Sequence, residues 1–167
     1  MIRRRDHRGQ TLVETALILP ILVLILTAFF DFGRVVLAND TLSHAAREAA
    51  RYAIVHGGSS ANPCPVGPPA EDAVVPVASA SCPFPSPSKE SIYQAARESA
   101  EFGGITVTVE VCYGEGCVGD TDAADATNER GTPVTVTVHS TLQMVAGSLI
   151  GFTSFDVSSS STMLVNH

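Results

Sequence analysis

Few side chains in these 167 residues are suited to covalent or metal chemistry; the clearest are four cysteines, Cys64, Cys82, Cys112 and Cys117. Four thiols can close two disulfides in three possible connectivities, or gather around zinc. Structural zinc sites use cysteine pairs roughly two to four residues apart, and only Cys112 and Cys117 approach that spacing, so no metal is expected. The favoured pairing joins Cys112 to Cys117, clamping the end of a strand through a tight YGEG loop, and Cys64 to Cys82, stapling a Pro-rich loop. Each bond would contribute about 2–4 kcal/mol by restricting the unfolded chain. His44, His56, His139 and His167 are scattered singly, and no GxSxG, HExxH or Walker-type run accompanies them. Neither an enzyme nor a cofactor is expected. The carboxylates of Asp120–Glu129 (DTDAADATNE) lack the spacing and glycine of an EF-hand, so they read as a solvated loop.

Glu14 is chemically distinctive for a different reason: it stands at the mouth of an apolar run. Thr15–Phe30 (TALILPILVLILTAFF) holds 16 uncharged positions, and from Gln10 the largely apolar stretch reaches 21 with Glu14 its one charge. At about 1.5 Å per residue this matches the thickness of a bilayer core. A carboxylate at the centre of such a helix costs about 2.5–3.5 kcal/mol, so Glu14 either sits at the headgroup level or has a partner. A helix apolar on all faces could instead be a buried core helix, but the remaining chain has too little apolar material to wrap it.

Charge supports the membrane reading. Arg3, Arg4, Arg5 and Arg8 against Asp6 give residues 1–9 a net +3, so the total of −7 leaves −10 on the rest. The acidic body excludes nucleic acid as a partner, and the basic tip, with His7 inside it, predicts a cytoplasmic N-terminus. The expected topology is a single pass, with membrane lipid around the apolar helix.

Helix formers continue through Arg34–His56 until Gly57-Gly58, predicting one helix from about Gln10 to Val55. Asp31 and Arg34 could pair at the membrane exit, or act as a polar stop fixing helix depth. Leu42, Ala45, Ala46, Ala49, Ala50 and Ala53 form a small-residue stripe that packs either on the chain's own sheet or against a neighbouring subunit. Residues 57–88, rich in Pro, Gly and Ser, read as a surface loop. A second helix is expected from a Ser88 N-cap to Gly103, with Ile92, Ala95, Ala96 and Ala100 inward. Alternation predicts strands at Ile105–Tyr113 and Pro133–Leu142, and Phe155–Val165 offers a third. The fold class is α+β: a long membrane and stalk helix, a second helix and about three antiparallel strands, a pilin-like layout. The expected divisions are 1–9, 10–56, 57–88 and 89–167.

The text RRRDHRGQTLVETALILP resembles the prepilin class of leaders, with its basic tip, Gly9 and a Glu five residues later. That resemblance implies cleavage by a prepilin peptidase between Gly9 and Gln10, leaving the apolar segment as an anchor. It also implies that Glu14 pairs with the freed amine of a neighbouring subunit during assembly. The longer stretch GQTLVETALILPILVLILTAFFDFGRVVLANDTLSHAAREAARYA is similar to the N-terminal signature of the TadE-like family of Tad (Flp) pilus systems. Thr15 stands where an aromatic residue is usual. The resemblance implies a minor pseudopilin of the inner membrane that meets other pilus-assembly subunits and pseudopilins through its exported domain; the spacing of the stripe, independently, assigns helix contacts to Ala45, Ala49 and Ala53, within the chain or with a neighbour.

Two other readings compete. A secreted adhesion or binding module with a conventional signal segment would need a shorter apolar run ending in small residues, which this one lacks. An anchored scaffold that is never processed would retain Met1. In either exported case the native protein should show no titratable thiol before reduction and four after denaturation and reduction; four free native thiols would refute the disulfide pairing.

Overall fold

The computed structural model describes residues 8–58, 64–68, 81–84, 86, 88–101 and 103–166. Most of the basic tip and parts of the Pro-rich loop, including 59–63 and 69–80, lie outside the described residues. The elements are α1 (Arg8–Val55), α2 (Glu90–Glu101), β1 (Thr108–Tyr113), β2 (Pro133–Gln143), α3 (Val145–Ile150) and β3 (Ser154–Leu164). This is the expected α+β layout. The chain divides into two compact units, one formed by α1 up to Val36 with Leu142–Phe155, the other by Leu37–Thr141 and Asp156–His167.

In the first unit, α1 contains an 18-residue stretch of mean hydropathy 2.5, none of it buried. From Gly9 to Phe30 every side chain is exposed except the half-buried Thr27. The helix runs through Pro20, whose missing N–H deprives Ala16 of its usual partner. Its hydroxyls are satisfied locally: Thr15 Oγ1 donates to the Thr11 carbonyl at 2.9 Å, and Thr27 Oγ1 to Val23 and Leu24 at 3.1 and 2.9 Å. Such internal bonding satisfies these two hydroxyls without water.

The second unit holds the core. Leu42, Ala45, Ala46, Ala49, Ala50 and Ala53 of α1 are all buried, at 1% exposure or less. The small-residue stripe therefore packs within the chain. Ile92, Ala96 and Ala100 of α2 are buried with them, while Ala95 is only half-buried. The sheet order is β1-β2-β3, and β1 pairs antiparallel with β2 from Thr108↔His139 to Tyr113↔Val134. Contacts of Thr135 with Thr162 and of Thr141 with Asp156 make β2 and β3 antiparallel as well. Val134, Val136 and Val138 are fully buried, alternating with half-buried Thr135, Thr137 and His139, as a strand with one covered face requires.

Three boundaries differ from expectation. Helix α2 does not start from a Ser88 cap, because the Lys89 carbonyl accepts from Ile92 and Tyr93 N–H at 2.9 and 3.1 Å, so Lys89 holds the cap position. Ser88 instead forms a bridge to Val66, its carbonyl taking the Gly67 N–H at 3.1 Å. The helix stops at Glu101, followed by a turn through Gly103 and Gly104, the latter at φ +68°. Strand β1 begins at Thr108 rather than Ile105, since the described pairing with β2 ends at His139.

Close packing of the α1 stripe is testable in the full-length, detergent-solubilised protein. Ala49→Leu overfills a site with no free surface and should lower stability by about 1–3 kcal/mol, read from the urea midpoint. Val118→Ala, at a side chain 79% exposed, should stay within about 0.5 kcal/mol of the parent.

Candidate functional site

The residues singled out by sequence fall in separate places. Gly9, Gln10 and Glu14 lie in the first turns of α1, all exposed. Ala45, Ala49 and Ala53 lie in the core of the second unit. Within the first unit, Asp31 is the site of most built geometry: it is only 4% exposed, and its carboxylate accepts from Val145 N–H at 3.1 Å and Ala146 N–H at 2.7 Å. Arg34 donates from Nη1 to the Gln143 carbonyl at 3.1 Å. The ion pair that was one of the two readings of Asp31 and Arg34 does not form; each holds backbone instead, Arg34 at the end of β2 and Asp31 at the start of α3. Both grips go to backbone, which a charged group at an apolar boundary can use without a counter-ion.

In the second unit the cysteines pair as Cys64–Cys82 and Cys112–Cys117, with Cα separations of 5.7 and 5.9 Å. No cluster suited to a metal occurs among the described residues. Beside the second bond lies a network that sequence reasoning missed. Lys89 Nζ, on a side chain 15% exposed, contacts Asp122 Oδ1 at 2.8 Å and donates to the carbonyls of Val111 and Asp120 at 2.6 and 2.9 Å. Tyr93 donates its hydroxyl to Asp120 at 2.6 Å, and burial together with that carboxylate pushes the Tyr93 pKa up, so the group stays a donor.

The purpose of the network is legible from strand order. Strand β1 is an edge, and an edge strand offers unpaired N–H and C=O groups. Asp120 Oδ1 takes the Val111 N–H at 2.9 Å, Asp122 Oδ1 takes the Tyr113 N–H at 2.8 Å, and Ala123 N–H reaches the Tyr113 carbonyl at 2.8 Å. The carboxylates read as a solvated loop thus begin with two that seal the sheet. The only signal in the sequence was the Asp-x-Asp spacing, which matches the alternate outward N–H groups of a strand.

Tyr113 is fully buried and its hydroxyl has no partner among the described residues. Burial, then the nearby Asp122, pushes its pKa up. Gly67, at φ +100°, lies against the same ring, where an added Cβ would come within 2.7 Å of it. These contacts describe a packed interior around the Tyr113 ring.

Residues 9–51 match the model of the TadE-like protein family. The matched segment is the apolar part of α1 and most of its Ala-lined continuation. Neither the curated proteins nor the solved structures give a match. The match covers 43 of the 167 residues, all of them in α1. The same helix is long and apolar enough to cross a membrane once.

The edge network yields a direct test. Lys89→Met leaves Asp120 and Asp122 without their cation and should lower stability by about 1–3 kcal/mol. Hydrogen exchange should quicken at the Val111 and Tyr113 amides and stay unchanged at Val136 in the sheet centre.

Proposed function

We propose that the chain is a minor pseudopilin supporting assembly of a Tad (Flp) pilus, acting through protein contacts and not through catalysis. The observation that carries this reading is a coincidence: the TadE-like match over residues 9–51 falls on a helix whose apolar residues are exposed on every face up to Phe30. A helix of that kind needs lipid around it. The four arginines of the tip favour a cytoplasmic N-terminus at the inner membrane, which sends the remaining chain outside, where disulfides persist.

In this reading residues 1–9 are a leader, removed by a prepilin peptidase, and 10–56 are anchor and stalk. Residues 57–88 form a loop, and 89–167 an extracytoplasmic α+β domain. Glu14 is exposed near the new N-terminus at Gln10, where its carboxylate can neutralise the freed amine of a neighbouring subunit. Because Ala45, Ala49 and Ala53 are consumed by intrachain packing, subunits meet through the span and the outer surface of the domain.

Mass spectrometry of the mature protein should find Gln10 at its N-terminus; a start beyond Ala38 would mark a secreted module, and retained Met1 an unprocessed scaffold. Glu14→Ala should insert normally and lower pilus number, so wild-type piliation in that variant would remove the assigned role of the carboxylate.

A further inference from the structure

From Ser140 to Phe155 (STLQMVAGSLIGFTSF) the chain carries no Asp, Glu, Lys, Arg or His. The middle of this stretch is a turn between two strands, a place where water-facing chains are ordinarily polar. Here the opposite holds: Val145 is 57% exposed, Phe152 71% and Phe155 50%. On α1, in the same unit, Phe29, Phe30 and Phe32 are exposed to a similar degree.

The position of the turn is set by Asp31. Its carboxylate holds the Val145 and Ala146 N–H groups, and Arg34 holds the Gln143 carbonyl, so the turn is tied to α1 at the first charged residues after Glu14. From Glu14 to Asp31 a helix rises about 25 Å, close to a hydrocarbon core. Leu24, Ala28 and Phe32 of α1 line one open cleft together with Met144, Phe152 and Phe155 of the turn, and the one charged group in its lining, Asp31, is only 4% exposed. The apolar surface of the span therefore continues onto the turn with no charged side chain exposed between them.

We propose that the β2–β3 turn, residues Met144–Phe155, is a second membrane contact, seated at the headgroup–acyl boundary of the bilayer that α1 crosses. The proposal rests on the membrane-spanning reading of α1. Lipid is the occupant because the cleft has no boundary separating its span side from its turn side, so the medium covering Leu24 and Ala28 also reaches Phe152. Aromatic and aliphatic side chains at such a boundary typically bury about 5–10 Å below the headgroups. The tip would fix the depth and rotation of α1, two quantities that a smooth apolar helix leaves free.

The protein has no tryptophan, so single-Trp variants of the full chain report cleanly. Leu22→Trp, Phe152→Trp and Val118→Trp are reconstituted in phosphatidylcholine–phosphatidylglycerol vesicles, with and without lipids brominated near the headgroup or deep in the acyl chains. Leu22→Trp should be quenched most by deep bromines. Phe152→Trp should shift to the blue and lose most of its emission to shallow bromines, while Val118→Trp keeps a water-like spectrum and is not quenched. Phe155→Trp repeats the reading at a second position should Phe152→Trp fold poorly. Water-like, unquenched emission at both turn positions, with Leu22→Trp quenched, overturns the proposal. Blue-shifted but unquenched emission there assigns the surface to a protein neighbour and overturns it equally. Loss of quenching at Leu22→Trp removes the span itself, a failure of the underlying reading.

Discussion

A single continuous helix has to satisfy two different media, and that constraint organises the rest of the molecule. From Thr15 to Phe30, α1 is uncharged with nearly every side chain exposed, and the Thr15 and Thr27 hydroxyls bond back onto the helix itself. Beyond Leu37 the same helix changes strategy, with alanines at three- and four-residue steps fully buried and charged residues elsewhere. Alanine costs no side-chain entropy on burial and allows close approach of another backbone, so one helix can serve as both anchor and core wall.

A small domain built on such a wall has limited apolar area, and the described structure compensates at its margins. Two disulfides join cysteines 18 and 5 positions apart, and the Lys89–Asp120–Asp122–Tyr93 network seals the outer edge of β1. The two devices meet at Cys112, which is paired to Cys117 while its neighbours Val111 and Tyr113 are capped by carboxylates. An open edge invites pairing with another chain. Charged caps suppress that route without adding a strand.

What could be read from the sequence was what repeats locally. The apolar run, the alanine steps and the Val–Thr alternation each express one period, and they recover α1, α2 and three strands. Contacts between distant residues left no period to follow. Lys89 reaches Asp120 across 31 residues, so neither looked remarkable by its own surroundings. Ser88 resembled a cap because its type is right for one, yet its backbone was already engaged with Val66 and Gly67. Ile105 and Val107 alternate like a strand, but alternation records only which face is covered, whereas strand length depends on where a partner is present.

Asp31 shows why the helix exit resisted local reading. Its nearest opposite charge in sequence is Arg34, and an i, i+3 pair is the simplest inference. A carboxylate only 4% exposed, however, gains more from two directed N–H donors than from a cation whose other face still needs solvent. The donors are free because they open α3, a six-residue helix whose first N–H groups have no partner of their own. The polar need of the helix exit and the unmet bonds of the turn therefore cancel each other. That reciprocal satisfaction lets an otherwise uncharged turn be held at a defined height on α1, with its phenylalanines left outward instead of folded in.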